Sequence, residues 1–443
     1  MKTRKLLSLF MIVVLLHATG LSCLTGCRKS DEFVPVLRFT VASDVHIEDD
    51  NLSPIEEARL AKLFEMAYKH AQNSETEYKK LDAALFVGDF TNRGTLTSMQ
   101  KFKNIVEKNK NAETKLVVSL GNHEFFSDPS TTEARYRETF STEVDEHFVI
   151  SGFHFIKLSA NGENFNEEKL QWLRQELEKA SQDAPKSPIF VIQHQHVRGT
   201  VYGSTAWGVD GLYEIFSDFP QVVDFSGHSH FPINDERSFW QQDFTAIGTG
   251  TLSYIELGLN GVSSEYVFPY GKTGNYKLLE WSGEKDYGVF QIVEVDKQGR
   301  IRLVGYDLTS ETELFTRYIN TPYEGSSSSI KAPTEQNTPL PEFAKNSQCN
   351  IIKNANGEIC LVVPQAQSNT FIESYRAEIY HNNELIGTYY ALSGHIFRPI
   401  PTEIHIKLEN LEIGKKYTAK VYAVNAHGRT CEKPLEFTFQ NNL

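Results

Sequence analysis

Five short polar blocks constrain this chain more than any other feature, because each follows directly on a run of branched apolar residues. In order they are Asp44-Val45-His46, Gly88-Asp89, Gly121-Asn122-His123-Glu124, His194 and Gly227-His228-Ser229-His230. The runs before them (Arg38–Ser43, within an apolar stretch Val36–Val45, then Leu81–Val87, Leu116–Leu120, Pro188–Gln193 and Val222–Phe225) read as short buried strands. Between them, Pro54–His70 and Glu167–Ala180 carry apolar residues at helical spacing. Strands alternating with helices predict an α/β core. In such a core, residues just past the carboxyl ends of strands converge on one rim, where ligands bind. Blocks distant in sequence are therefore expected to meet in space.

The residue types define the chemistry of that meeting point. Carboxylate, imidazole and amide oxygen suit divalent Mn, Fe and Zn. Seven such groups are too many for one ion and fit two ions that share a bridge. Taken singly, each block has a plainer explanation: Gly-Asp is a common turn, and a lone His beside a strand is usually a packed residue. Gly-His-x-His is sharper, because alternate residues of an extended segment share a face. All five in this order, each at a strand end, are not explained as turns.

From about Leu37 to beyond Tyr254, these blocks resemble the calcineurin-like metallophosphoesterases. The resemblance implies a four-layer αββα sandwich with a two-metal site at the sheet rim. It implies hydrolysis of a phosphomonoester or phosphodiester, nucleotide-type substrates included, by a metal-bridging hydroxide. Carried over by motif, Asp44, His46, Asp89 and His230 hold one ion. Asp89, Asn122, His194 and His228 hold the other, with Asp89 as the bridge. His196 is the alternative ligand in the fourth block, or a group behind the ligands. His123 stands off the ions and gives a hydrogen bond or proton to the leaving oxygen. Arg93 either touches phosphate or pins its loop, and Glu124 either orients a neighbour or lies at the surface. Purple acid phosphatases of the superfamily place a Tyr where this chain has Asn92, so Mn, Zn or ferrous iron is expected rather than tyrosinate-bound ferric iron. The segment Gly121–Phe125 is also similar to that of 5′-nucleotidases, but Phe126 replaces their usual Asp.

The flanks carry other signals. Residues 1–27 combine a basic start, an apolar run from Leu6 to Leu16 and Leu24-Thr25-Gly26-Cys27. The last four resemble the bacterial lipobox, which implies a lipid on Cys27, a tether over 28–35 and anchorage in the cell envelope; the alternative is an ordinary signal peptide. Contact with membrane is then expected through the lipid anchor only. With 57 acidic against 44 basic residues, an extended nucleic-acid surface is not expected, and the partner foreseen is a small phosphoester. Residues 36–320 form the expected phosphoesterase domain, and 321–343, which include the run Ser326–Ser329 and Pro333, Pro339 and Pro341, read as a linker.

Residues 344–443 are strand-rich. There Leu408-x-x-Leu411-x-x-Gly414-x-x-Tyr417 resembles the tyrosine corner of a fibronectin type III domain, which implies a small all-β sandwich; another β-sandwich is the alternative. Cys349 and Cys360 flank the turn signal Asn354–Gly357, so a cross-strand disulfide and buried free thiols both remain open. Tyr202, Trp207, Trp240, Tyr254 and Phe268-Pro269-Tyr270 could stack on a substrate at the rim, although packing is the commoner role of such rings. A surface-anchored binding protein with a structural or vestigial metal site is the competing function. The completeness of the ligand set argues against it. No Gly-x-Ser-x-Gly with a convincing triad supports a serine hydrolase.

Overall fold

The computed structural model describes residues 32–161, 163–256, 287–319 and 338–442. The leader and Cys27, most of the serine-rich segment, and Phe268–Tyr270 lie outside the described residues. No described helix is long and apolar enough to cross a membrane.

The five apolar runs form β1 (Pro35–Ala42), β2 (Ala83–Val87), β3 (Lys115–Ser119), β6 (Ile189–Ile192) and β9 (Val222–Ser226), and strands not singled out from the sequence lie between them: β4 (Glu146–Ile150), β5 (Phe153–Lys157), β7 (His196–Val197) and β8 (Gly208–Val209). Then follow β10 (Phe239–Gln241), β11 (Thr245–Gly248), β12 (Val289–Asp296), β13 (Ile301–Asp307) and β14 (Thr312–Ile319). Two six-stranded sheets result, ordered β14-β13-β12-β1-β2-β3 and β10-β11-β9-β6-β5-β4. Within them β1, β2 and β3 run parallel, as do β5, β6, β9 and β11.

Period-2 alternation sends one set of side chains between the sheets. Leu37, Phe39 and Val41 of β1 meet Phe155, Phe190 and Phe225 of the other sheet, with Phe39 edge-on to Phe155 at 5.3 Å. On the outer face of the first sheet, helices Pro54–Asn73 and Leu96–Asn109 bury Leu60, Leu63, Phe64 and Phe102 against Phe86 and Phe290. On the outer face of the second, helix Glu167–Asp183 buries Leu173 and Leu177 against Ile156, Val191 and Val222. The layers are therefore helix, sheet, sheet, helix, the four-layer fold expected. Helix Pro54–Asn73 runs one turn beyond the predicted end at His70, and Leu96–Asn109, capped by Thr95 Oγ1 on the Ser98 amide, was not singled out from its sequence pattern.

The C-terminal region is all-β: β15 (Asn350–Lys353), β16 (Ile359–Pro364), β17 (Ile372–His381), β18 (Glu384–Leu392), β19 (Glu403–Leu408), β20 (Lys416–Asn425) and β21 (Leu435–Gln440). They make a three-stranded sheet, β15-β16-β19, and a four-stranded one, β18-β17-β20-β21. Leu361, Tyr375, Val421 and Tyr417 fill the space between them. Tyr417 Oη accepts the Glu412 amide at 2.8 Å, closing a corner across five residues. The β15–β16 hairpin turns at Asn354–Glu358, but Cys360 stands opposite Ile352 and not Cys349. Among the described residues no disulfide forms; Cys349, Cys360 and Cys431 are buried free thiols. Before β15, Glu342 bridges to Gln367 and Phe343 packs on the sandwich core. Residues Pro35–Leu443 form one compact unit.

Candidate metal centre

All five blocks stand at the carboxyl ends of parallel strands: Asp44 and His46 after β1, Asp89 after β2, Asn122 and His123 after β3, His194 after β6, and His228 and His230 after β9. Three strands belong to one sheet and two to the other, so the candidate ligands face each other across the mouth between the sheets. Three clusters result: Asp44, His46 and His230; His46, Asp89 and His123; and Asp89, His194 and His228, each with ligand atoms within 4.8 Å of one another. His46 and Asp89 are each common to two of them, and Asp89 alone joins the cluster of His194 and His228 to another, the position a bridging group needs. Its Oδ2 lies 3.0 Å from His194 Nε2 and 3.9 Å from His123 Nε2. Asp44 Oδ1 lies 3.1 Å from His230 Nε2 and 3.9 Å from His46 Nε2, and the two imidazole Nε2 atoms face each other at 3.2 Å.

The remaining ring nitrogens set the tautomers. His194 Nδ1 reaches the Val87 carbonyl and His230 Nδ1 the Tyr254 carbonyl, both at 2.8 Å. A carbonyl oxygen only accepts, so each Nδ1 carries a proton and each Nε2 is the nitrogen turned toward the carboxylates. Asn122 Oδ1 is buried without a hydrogen-bond partner among the described residues. An orphaned amide oxygen costs free energy unless something electropositive meets it. Carboxylates, imidazole Nε2 atoms and an unpaired amide oxygen are together a donor set that fits divalent metal. His196 does not share this property: Ser226 Oγ and Ser229 Oγ take its two nitrogens at 2.8 and 2.7 Å. It stands behind the ligands, and burial holds it neutral, down to about 3.

Electrostatics follow from placing so many ionisable groups in one dry mouth. Burial alone would raise Asp44 and Asp89, but His230 and His194 beside them outweigh it, drawing Asp44 to about 2 and Asp89 well below the usual carboxylate range. Burial lowers His46 to about 3 and His228 to about 4. For His194, burial is overcome by Asp89, and the ring is raised to about 10.

The backbone is held in an unusual shape. Asp44, His46, Asp89, His228 and His230 all have φ between 48° and 69°. Left-handed conformations of non-glycine residues cost roughly 1–3 kcal/mol each and cluster at functional sites. The glycines of the motifs serve close approach. A Cβ on Gly227 would lie 2.5 Å from Asp44 Oδ2, and one on Gly88, at φ +78°, 2.5 Å from the His194 ring.

Glu124 is fully buried, which removes the surface alternative. Its carboxylate accepts from the amides of Asp89, Thr91 and Gly121 at 2.8–3.0 Å and so holds the bridging residue's backbone. His123 Nδ1 donates to Asn92 O at 3.0 Å, which leaves Nε2 facing the cluster. Arg93 is exposed, and Arg135 pins its loop instead, with Nε on the Gly94 carbonyl at 2.8 Å. Of the candidate aromatics, Trp240 is core and Tyr202 is stacked under Arg237. Trp207 and Tyr254 are half-buried against His228 and His230, with centroids at 5.9 and 4.2 Å. Phe126, not considered as a contact residue from sequence, is 59 % exposed and lies 4.3 Å from the His123 ring. Nothing in its spacing marks it; only the turn after β3 brings it there.

Residues 37–232 match the family model described as calcineurin-like phosphoesterase. No curated protein matches. Among solved structures, the chain is similar to purple acid phosphatase PPD1 from yellow lupin (Lupinus luteus) seeds, at 13 % identity, TM-score 0.44, over 65 % of this chain and 55 % of that one. It is similar to PhoD at 12 % identity, TM-score 0.35, over 68 % and 73 % of the two chains. Vps29 from Chaetomium thermophilum follows at 11 % identity, TM-score 0.27, over 64 % and 95 %. This chain thus spans little more than half the length of the lupin enzyme.

Proposed function

Because residues 37–232 match the calcineurin-like phosphoesterase family model, we propose that this chain is an exported, lipid-anchored two-metal hydrolase of phosphomonoesters or phosphodiesters. The observation that carries the reading is the shared place of Asp89 between the clusters, with six further donors from the other four strand ends around it, Asn122 Oδ1 among them. Asp44, His46, Asp89 and His230 would hold one ion, and Asp89, Asn122, His194 and His228 the other. When bound, two such ions supply a water of lowered pKa and a clamp on the phosphoryl oxygens; Mn, Zn or ferrous iron fits the donors.

The chain's own residues do the rest. His194 and His230 are oriented by the Val87 and Tyr254 carbonyls. Glu124 fixes the Asp89 backbone. His123, in its imidazolium form, holds one proton on Asn92 O and presents the other at Nε2, where it can pass to the leaving oxygen. Arg93, free of loop duty, is available to a phosphate oxygen. Export rests on the basic start, apolar run and Leu24–Cys27 pattern. The sandwich reads as a fibronectin type III-like module, supported by the Tyr417–Glu412 corner bond.

The test is hydrolysis of bis(p-nitrophenyl) phosphate and its monoester by the chain from Arg28 onward, stripped of metal and reloaded with Mn, Zn or Fe(II). Metal-dependent turnover abolished by Asp89→Asn and sharply reduced by His123→Ala is the expected result. Failure to hydrolyse either ester with any metal, together with no bound ions, would remove the reading.

A further inference from the structure

We infer that the C-terminal sandwich is a working part of the metal centre: it holds the segment Phe231–Ser238, and through that segment the ligands His228 and His230. The inference rests on reading those two histidines as ligands.

The segment continues directly from His230 and is fastened to the sandwich at successive points. Ile233 shares an apolar cluster with Ile396 of the sandwich and with Tyr287, whose hydroxyl takes the Ile233 amide at 3.2 Å. Asn234 Nδ2 donates to the His395 carbonyl at 3.0 Å. Glu236 Oε1 and His427 Nε2 are 3.0 Å apart. Arg237, buried at the junction, forks onto Asp235 and reaches Glu373 Oε1 of β17 at 2.9 Å. Beside the apolar contact of Ile233 with Ile396, the other three fastenings are polar, directional and paired, unlike a casual contact between two domains.

Arg237 also supports a second path to the site. Its guanidinium lies 3.6 Å from the Tyr202 ring centroid. Tyr202 stacks on Phe231 at 4.0 Å, and its amide donates to the Arg237 carbonyl at 2.9 Å. Phe231 faces Trp207 at 5.9 Å, and Trp207 stands edge-on to His228 at the same separation. A continuous stack therefore runs from the sandwich carboxylate to a ligand ring. His228 and His230 both hold left-handed backbone, at φ +69° and +55°. Such conformations persist only where the surroundings over-determine them. Backbone bonds from Ser229 to Gly227 and from Glu256 to His230 hold the loop from its own side, and the sandwich secures its downstream end.

Arg237 and Glu373 are thus positioning residues, and their effect is read on metal affinity. In Glu373→Gln the guanidinium keeps Asp235 as its partner, so the variant is expected to fold. Arg237→Lys keeps the charge and loses the planar fork and stack. Mn²⁺ is titrated calorimetrically into the metal-free chain from Arg28 onward. Groups behind a metal's ligands typically govern affinity by 10–100-fold. Both variants are expected to weaken Mn²⁺ binding by about tenfold. Asn234→Ala should weaken it less. Lys420→Gln, which loses a pair with Glu436 and a contact with the Tyr380 ring, both within the sandwich, should leave it unchanged. Unchanged affinity in folded Glu373→Gln and Arg237→Lys overturns the inference, as does an equal loss in Lys420→Gln. A wild-type chain that binds Mn²⁺ with this dependence yet hydrolyses no ester loses the proposed activity while the inference stands. A wild-type chain that binds no Mn²⁺, Zn²⁺ or Fe²⁺ overturns both.

Discussion

His194 Nδ1 donates to the Val87 carbonyl at 2.8 Å, so a candidate ligand carried by one sheet is oriented by the last residue of a strand in the other. Two residues beyond that carbonyl, Asp89 Oδ2 meets the opposite nitrogen of the same ring at 3.0 Å. The imidazole thereby clasps the two sheets at their open mouth, and packing of the sheets and geometry of the centre become one problem.

Replacing that ring is expected to remove one of two ions. His194→Ala should retain about one metal per chain by elemental analysis, and turnover should fall by about 100-fold or more. Retention of both ions would show that His194 is not a ligand.

Gly88→Ala places a methyl carbon 2.5 Å from the His194 ring at a backbone φ of +78°. Overpacking of this kind costs about 1–3 kcal/mol, before the added cost of the backbone conformation. Denaturant unfolding should show that loss, together with weaker metal binding, because the ring must move.

Glu124→Gln turns an acceptor of several amide protons into a side chain with an NH₂ facing one of them. Leaving buried donors unsatisfied costs about 1–3 kcal/mol. The melting temperature should drop and kcat should fall with little change in KM, since the Asp89 backbone shifts and no substrate contact is lost. A variant with wild-type kcat would assign Glu124 a purely local role.

A pH test concerns the first sheet. Glu294, buried between Arg38 at 2.7 Å, His70 at 3.3 Å and Arg302, resists the upward push of burial and is lowered from 4.5 to about 2. A carboxyl depressed in the folded state stabilises it above its unfolded value and loses that stabilisation as pH falls toward the folded value. Stability should decline between about pH 4.5 and 2 in the wild type. In Glu294→Gln the decline should be shallower, with a cost at pH 7 of about 3–5 kcal/mol because Arg38 is left uncompensated. Parallel pH curves for the two proteins would contradict this account.

Tyr417→Phe deletes the acceptor of the Glu412 amide. The sandwich should lose about 1 kcal/mol, the usual net worth of such a bond. If the sandwich supports the metal segment, Mn²⁺ affinity should follow only at temperatures where the sandwich begins to open.

The candidate site was unusually legible in the sequence because each proposed ligand sits where a strand ends, and strand ends are marked locally by apolar runs. Period and composition determined the strands at Leu37, Leu85, Val117, Val191 and Val223, the helix from Pro54, and the candidates Asp44, His46, Asp89, Asn122, His123, His194, His228 and His230. What depended on contacts between distant segments was not written locally. The choice between His194 and His196 turned on Ser226 and Ser229, which take both nitrogens of His196. The place of Glu124 turned on three amides that come together only when the turns after β2 and β3 pack. The pairing of Cys349 and Cys360 was decided by hairpin register, which sets Ile352 opposite Cys360. Arg237 and Glu373, 136 residues apart, carried no mutual signal at all. Backbone periodicity is a short-range property and survives in the chain as a pattern. Hydrogen-bond satisfaction and charge pairing are properties of the folded interior, where burial makes an unmet partner costly, and there the tertiary structure alone decided.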